Sequence, residues 1–83
     1  MPTVLRFVGL RVVVYPNDHR PAHVHVIGND AEAVFLLSCP RGAILLRENY
    51  KFGRAEIARI RRLLKQHQPR LCRQWEKIHG AER

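Results

Sequence analysis

The sequence has little cysteine and no long apolar run. Its longest uncharged apolar run is about five residues, at positions 33–37, whereas a transmembrane helix needs about 20. Met1 and the residues after it form no charged segment followed by a long apolar one, so we expect no signal peptide and a cytoplasmic location. The two cysteines, Cys39 and Cys72, make no paired-cysteine metal motif, and we expect no disulfide between them in a reducing compartment.

The chain is also short. Its 83 residues predict a single domain over positions 1–83, with a strand region at about 4–46 and a helical region at about 54–79. A domain of this size buries roughly 60–65% of its unfolded surface, so its core is thin and a partner could contribute to its stability. The composition, 46% apolar and 27% charged, is that of a globular protein.

Acidic residues are few, and the positive charge is concentrated in one half of the chain. Residues 1–50 carry a net charge of +1, and residues 51–83 carry +7 of the total of +8. A basic half favours an anionic partner such as RNA, although a solvated arginine-rich helix would give the same pattern. We expect no membrane contact. The predicted nucleic-acid-binding patch consists of Arg54, Arg61, Arg62 and Lys65.

The spacing of apolar residues changes from a strand pattern to a helical one near residue 53. Short β-branched or alternating segments predict strands at 4–8, 11–15, 23–27, 31–37 and, less regularly, 43–46. Helical spacing then predicts helices at 54–67 and 69–79, with Pro69 at the boundary. We therefore predict an α+β fold, a small antiparallel sheet of three to five strands with two C-terminal helices packed on one face.

The segment 17–26 contains three of the five histidines. In a strand, His23 and His25 project to one face about 6.5–7 Å apart, opposite Val24 and Val26. If the next strand pairs through the turn at 28–30, Glu32 faces the same side. The histidines and Glu32 would then share the outer face of the sheet, with Asp18 and His19 in the loop at its edge.

Three interpretations of this segment compete. Two strand histidines with a carboxylate could chelate a transition metal. They could also act in general acid–base catalysis on a phosphodiester such as RNA, since histidine titrates near neutral pH. The third interpretation is structural, with polar strand residues and a loop held by Asp18. We predict no cofactor and no bound metal, and the candidate catalytic residues are Asp18, His19, His23, His25 and Glu32.

The chain resembles a family of small bacterial proteins, domain of unknown function 4160. The stretch NDHRPAHVHV is similar to the family's signature, and MPTVLRFVGLRVVVY, EAVFLL and FGRAEIARIRRLLKQHQPRLCRQWEKIHG are similar to its strands and helices, over roughly residues 1–80. This chain has Ala22 where relatives commonly have a second proline, and Val34 where they are often polar. The positions that match the motif are Asp18, His19, Pro21, His23, His25 and Glu32.

The resemblance implies a partner rather than a known activity. Genes of this family often lie beside those of another uncharacterised small protein, domain of unknown function 2442, which has prompted a toxin–antitoxin assignment. The chain would then act with a small cognate protein encoded by a neighbouring gene. As a toxin it would be ribonuclease-like, with His23 or His25 as acid–base and the basic helices on the phosphate backbone. The alternative is a non-catalytic module that binds protein or nucleic acid.

Overall fold

The computed structural model describes residues 3–80, which form a five-stranded antiparallel sheet followed by two helices. This confirms the predicted α+β fold. Met1, Glu82 and Arg83, which entered the predictions of compartment and charge, lie outside the described residues. No described helix is long and apolar enough to cross a membrane. The elements are β1 Thr3–Phe7, β2 Leu10–Val13, β3 His23–Ile27, β4 Glu32–Leu36, β5 Leu45–Tyr50, α1 Arg54–Gln66 and α2 Gln68–His79.

The strands lie in the sheet in chain order, so each pairs with the one before it. Because side chains alternate between the faces of a strand, the register places one set of residues on the helix side. In that register Val12 lies opposite Val26, and Val24 lies opposite Phe35. The helices cover this face with the predicted apolar stripes, and a single core results. Its helical members include Ile57, Ile60, Leu64, Leu71 and Trp75.

The fifth strand differs from its prediction. It runs over Leu45–Tyr50 rather than 43–46, and every one of its residues is exposed. Its register shifts between Val34 and Phe35 of β4, and the Asn49 side chain closes the following turn by bonding both the N–H and the carbonyl of Phe52. An edge strand without a buried side has no apolar period, so the polar residues 47–49 gave no strand signal.

A buried glutamine fixes the junction between the helices. Gln68 is 3% exposed, and its Nε2 donates to the carbonyls of Leu37 at 2.7 Å and Gly42 at 2.8 Å. Its Oε1 accepts from Lys65 Nζ at 2.9 Å. That ammonium also donates to the carbonyls of Arg41 and Gly42, both at 3.1 Å. The loop after β4 is therefore tied to the end of α1 and the start of α2.

The expectation that Cys39 and Cys72 stay unpaired is wrong, because the structure joins them in a disulfide. Their Cα atoms are 5.9 Å apart, within the range that a bridge requires. Leu71 is buried in the core, and the next residue of α2 faces the loop that carries Cys39. The two cysteines are 33 residues apart in the sequence, and this spacing does not show that they are close in the fold. They come together only when α2 packs against the loop.

Removing the bridge should lower stability substantially. For a loop of this length, the chain-entropy account predicts that Cys39→Ala with Cys72→Ala costs about 3–4 kcal/mol of unfolding free energy. Urea unfolding of the oxidised protein, the reduced protein and the double variant measures this. The last two should agree with each other, and equal stability of all three would show that the bridge does not form.

Candidate functional site

The part of the β2–β3 loop that carries Asp18 folds back onto the outer face of the sheet, whereas Arg20 of the same loop pairs with Glu76 of α2. The Asp18 N–H donates to the Tyr15 carbonyl at 3.0 Å, and the Tyr15 N–H donates to Asp18 Oδ2 at 3.2 Å. Aspartate favours such turns because its short side chain bonds nearby backbone. The turn delivers the Asp18 carboxylate to β3.

The carboxylate lies between the two strand histidines. Asp18 Oδ2 is 3.4 Å from His23 Nε2 and 3.3 Å from His25 Nε2. Side-chain exposures are 15% for Asp18, 8% for His23 and 17% for His25. Glu32 Oε2 lies 3.6 Å from His25 Nδ1, and the Tyr15 ring meets the His25 ring edge-on at 4.6 Å. The two imidazoles thus share the outer face, as strand parity predicted, but in a largely buried cluster.

The hydrogen bond from His23 determines its tautomer. His23 Nδ1 is 2.8 Å from the Pro21 carbonyl oxygen, which only accepts, so Nδ1 carries the hydrogen. In a neutral ring Nε2 is then an acceptor, and it faces another acceptor on Asp18. Both ring nitrogens of His25 are buried without a hydrogen-bond partner among the described residues. The three side chains therefore offer more acceptors than donors to one another, an arrangement that a cation would satisfy.

The predicted site residues do not all converge. Asp18, His23 and His25 place one ligand atom each within 4.8 Å of the others, and Glu32 adjoins them. His19 is exposed and is not a member of this group. Three surface cavities bordered by described residues include Glu32 in one case, but Asp18, His23 and His25 line none of them.

Comparison with known proteins shows the family to which the chain belongs. The model of the family described as a domain of unknown function, DUF4160, matches residues 9–76. The chain belongs to this family. No curated protein and no solved structure matches it. The matched region of the DUF4160 chain includes the whole histidine cluster and nearly all of both helices.

The four predicted nucleic-acid-binding residues of the DUF4160 chain all lie on α1. Arg54, Arg61 and Arg62 are exposed on α1, whereas the Lys65 ammonium donates to three acceptors of its own chain. An ammonium has three donors, so Lys65 primarily positions the loop after β4.

Sequence reasoning missed a second basic surface on α2. A groove of about 1110 Å³ runs between α2 and the loop at Cys39 and Pro40, and basic side chains border it. The sequence could have indicated this surface, because Arg70 and Lys77 are seven residues apart and residues two turns apart lie on the same face of a helix. The basic side chains at the groove are Arg20, Arg70, Arg73 and Lys77.

Removing the Asp18 carboxylate should detach the loop from the sheet. We expect Asp18→Ala to cost about 1–3 kcal/mol, because the Tyr15 N–H loses its acceptor in a partly buried place. Asp30→Ala is the matched control: Asp30 pairs with Lys51 in solvent, and such pairs contribute about 0–1 kcal/mol. Urea unfolding measures both changes. Equal, small effects would show that Asp18 does not hold the loop.

Proposed function

We propose that this chain is a non-catalytic RNA-binding module that acts with a partner protein, as one half of a toxin–antitoxin-like pair. The observation that carries the proposal is a set of helical cations without counterions. Within residues 3–80, the ion pairs of lysine and arginine involve only Arg20 with Glu76 and Lys51 with Asp30. Apart from Lys65, whose ammonium bonds within the chain, seven exposed cations of the two helices have no carboxylate partner there: Arg54, Arg59, Arg61, Arg62, Arg70, Arg73 and Lys77.

The arrangement of these cations suits a phosphate backbone. They extend over two helices that are separated by the single residue His67. Contacts to phosphates come mainly from arginine and lysine and position a protein without reading sequence. Arginine also offers planar, bidentate hydrogen bonding to phosphate. Six of the seven cations are arginines.

Burial of the histidine cluster supports binding over ribonuclease chemistry. A general acid or base must reach the proton that it transfers, within hydrogen-bond distance. Both ring nitrogens of His25 are buried, and the His23 side chain is 8% exposed. Neither ring lines a described cavity in which a phosphodiester could lie.

The edge strand β5 supports a protein partner. Its large side chains Leu45 and Tyr50 are 49% and 62% exposed, and β5 pairs only with β4. Natural proteins usually protect such an edge with charge, bulges or a covering segment, and β5 carries Arg47, Glu48 and a register shift against β4 beside its exposed apolar side chains. A partner strand added here would gain backbone hydrogen bonds and cover the apolar side chains. We assign this edge to the small protein encoded by the neighbouring gene.

RNA binding should depend on the α1 arginines and on salt. Fluorescence anisotropy with a labelled single-stranded RNA should show affinity falling with salt, with a log–log slope of about −0.7 for each phosphate contact. Changing Arg54, Arg61 and Arg62 together to alanine should weaken binding and reduce the size of that slope by about 2.

The matched control removes the same charge from the sheet. Arg6, Arg11 and Arg47 lie on β1, β2 and β5, and their replacement by alanine should leave most of the affinity and the slope. Equal losses in both triple variants would indicate a non-specific effect of net charge. Absence of binding at low salt would refute the RNA proposal.

Partner binding should depend on β5. Co-expression with the neighbouring gene's protein should give a complex by size-exclusion chromatography with light scattering, and Leu45→Lys with Tyr50→Lys should abolish it. Val8→Lys is the control, because Val8 is 97% exposed and lies in the turn after β1. A complex that survives the β5 changes would place the partner elsewhere.

A further inference from the structure

We propose that Asp18, His23 and His25 bind a divalent transition-metal ion of the zinc class, and that the ion fastens the loop between β2 and β3 to the sheet. This inference concerns the outer face of the sheet. It is independent of RNA binding by the helices and of a partner at β5, and it replaces the expectation of a metal-free site.

The distances between the donor atoms fit one ion. Asp18 Oδ2 lies 3.4 Å from His23 Nε2 and 3.3 Å from His25 Nε2, and the three residues offer ligand atoms within 4.8 Å of one another. A tetrahedral zinc ion with bonds of about 2.0–2.2 Å separates neighbouring ligand atoms by about 3.3–3.6 Å. The two separations from Asp18 Oδ2 are long for hydrogen bonds and have the length of a tetrahedral edge, and the imidazole nitrogens lie within 4.8 Å of each other.

The surroundings of the second ring nitrogen, Nδ1, of both imidazoles also match those of a metal-binding histidine. Metal-bound histidines usually donate their second ring N–H to a carbonyl or a carboxylate, which directs the other nitrogen to the ion. His23 Nδ1 donates to the Pro21 carbonyl at 2.8 Å, which leaves Nε2 free to bind the ion. His25 Nδ1 lies 3.6 Å from the Glu32 carboxylate, whose 48% exposed side chain needs only a small rotation to accept this N–H.

An ion would satisfy the groups that otherwise lack partners. Without one, a neutral His23 directs a lone pair at the Asp18 carboxylate, and both His25 nitrogens stay buried without a hydrogen bond. Buried polar groups are nearly always paired in native proteins. A metal between the three atoms gives each lone pair a partner, and it makes His25 Nδ1 a donor to Glu32.

The ligand set selects the class of metal. Two imidazoles and one carboxylate suit zinc, cobalt, nickel or ferrous iron, whereas calcium and magnesium prefer oxygen ligands. No thiolate competes for the ion, because both cysteines are in the disulfide. Three protein ligands leave a fourth position for water. The low exposure of the cluster gives the ion a structural role in holding the loop.

Zinc titration of the chelator-treated full chain tests this proposal. One equivalent should bind, and the melting temperature should rise by about 10–20 °C when free zinc exceeds its Kd about 100-fold. His25→Gln and Asp18→Asn should abolish this rise. His19→Ala, which changes a histidine outside the cluster, should retain it. A rise in all variants would mean binding to surface histidines and would overturn the proposal.

A second measurement needs no variant. Two-dimensional ¹H–¹⁵N spectra of the histidine rings report which nitrogen carries hydrogen and which binds metal. Zinc should shift Nε2 of His23 and His25 and leave Nδ1 of His23 protonated, while the rings of His67 and His79 stay unchanged. The proposal is overturned if Nε2 of both rings is protonated without metal and unaffected by zinc, since a proton would then join the imidazoles to Asp18.

Discussion

The Asp18 carboxylate is the contact on which the outer face of this protein depends. It accepts the Tyr15 N–H and lies within 3.4 Å of Nε2 of both His23 and His25. One side chain thereby closes a loop and lies against two imidazoles that strand parity alone would expose. The helices cover the opposite face, so both faces of β3 are occupied.

The α+β fold was predictable because its buried apolar residues recur at regular spacing along each strand and helix. Val24 and Val26 alternate along a strand, and Ile57, Ile60 and Leu64 recur at helical spacing, so each element reveals its buried side in a short window. The fold prediction failed at features that depend on contacts between distant parts of the chain. The fully exposed β5 has no apolar period. The disulfide between Cys39 and Cys72 and the loop anchor at Gln68 and Lys65 depend on elements about 30 residues apart.

The residues of the candidate site were predictable from the sequence, but their burial was not. Parity placed His23, His25 and Glu32 on one face, and Asp18 was expected beside them. The sequence did not show that the loop would fold over this face, nor that His19, next to Asp18, would remain in solvent. Val34 illustrates the same limit: it pairs with His25 and lies on the same outer face, yet it is 7% exposed.

We propose that the helical surface contacts RNA and that the histidine cluster on the sheet holds the loop between β2 and β3. Titrating isotope-labelled protein with single-stranded RNA, and following backbone amide and histidine ring signals together, tests this division of roles most directly. We predict that the shifts concentrate at residues 54–62 and 70–77, while the ring signals of His23 and His25 do not move. Shifts centred on these two rings, with the helices unaffected, would contradict the account and restore the catalytic interpretation of the cluster.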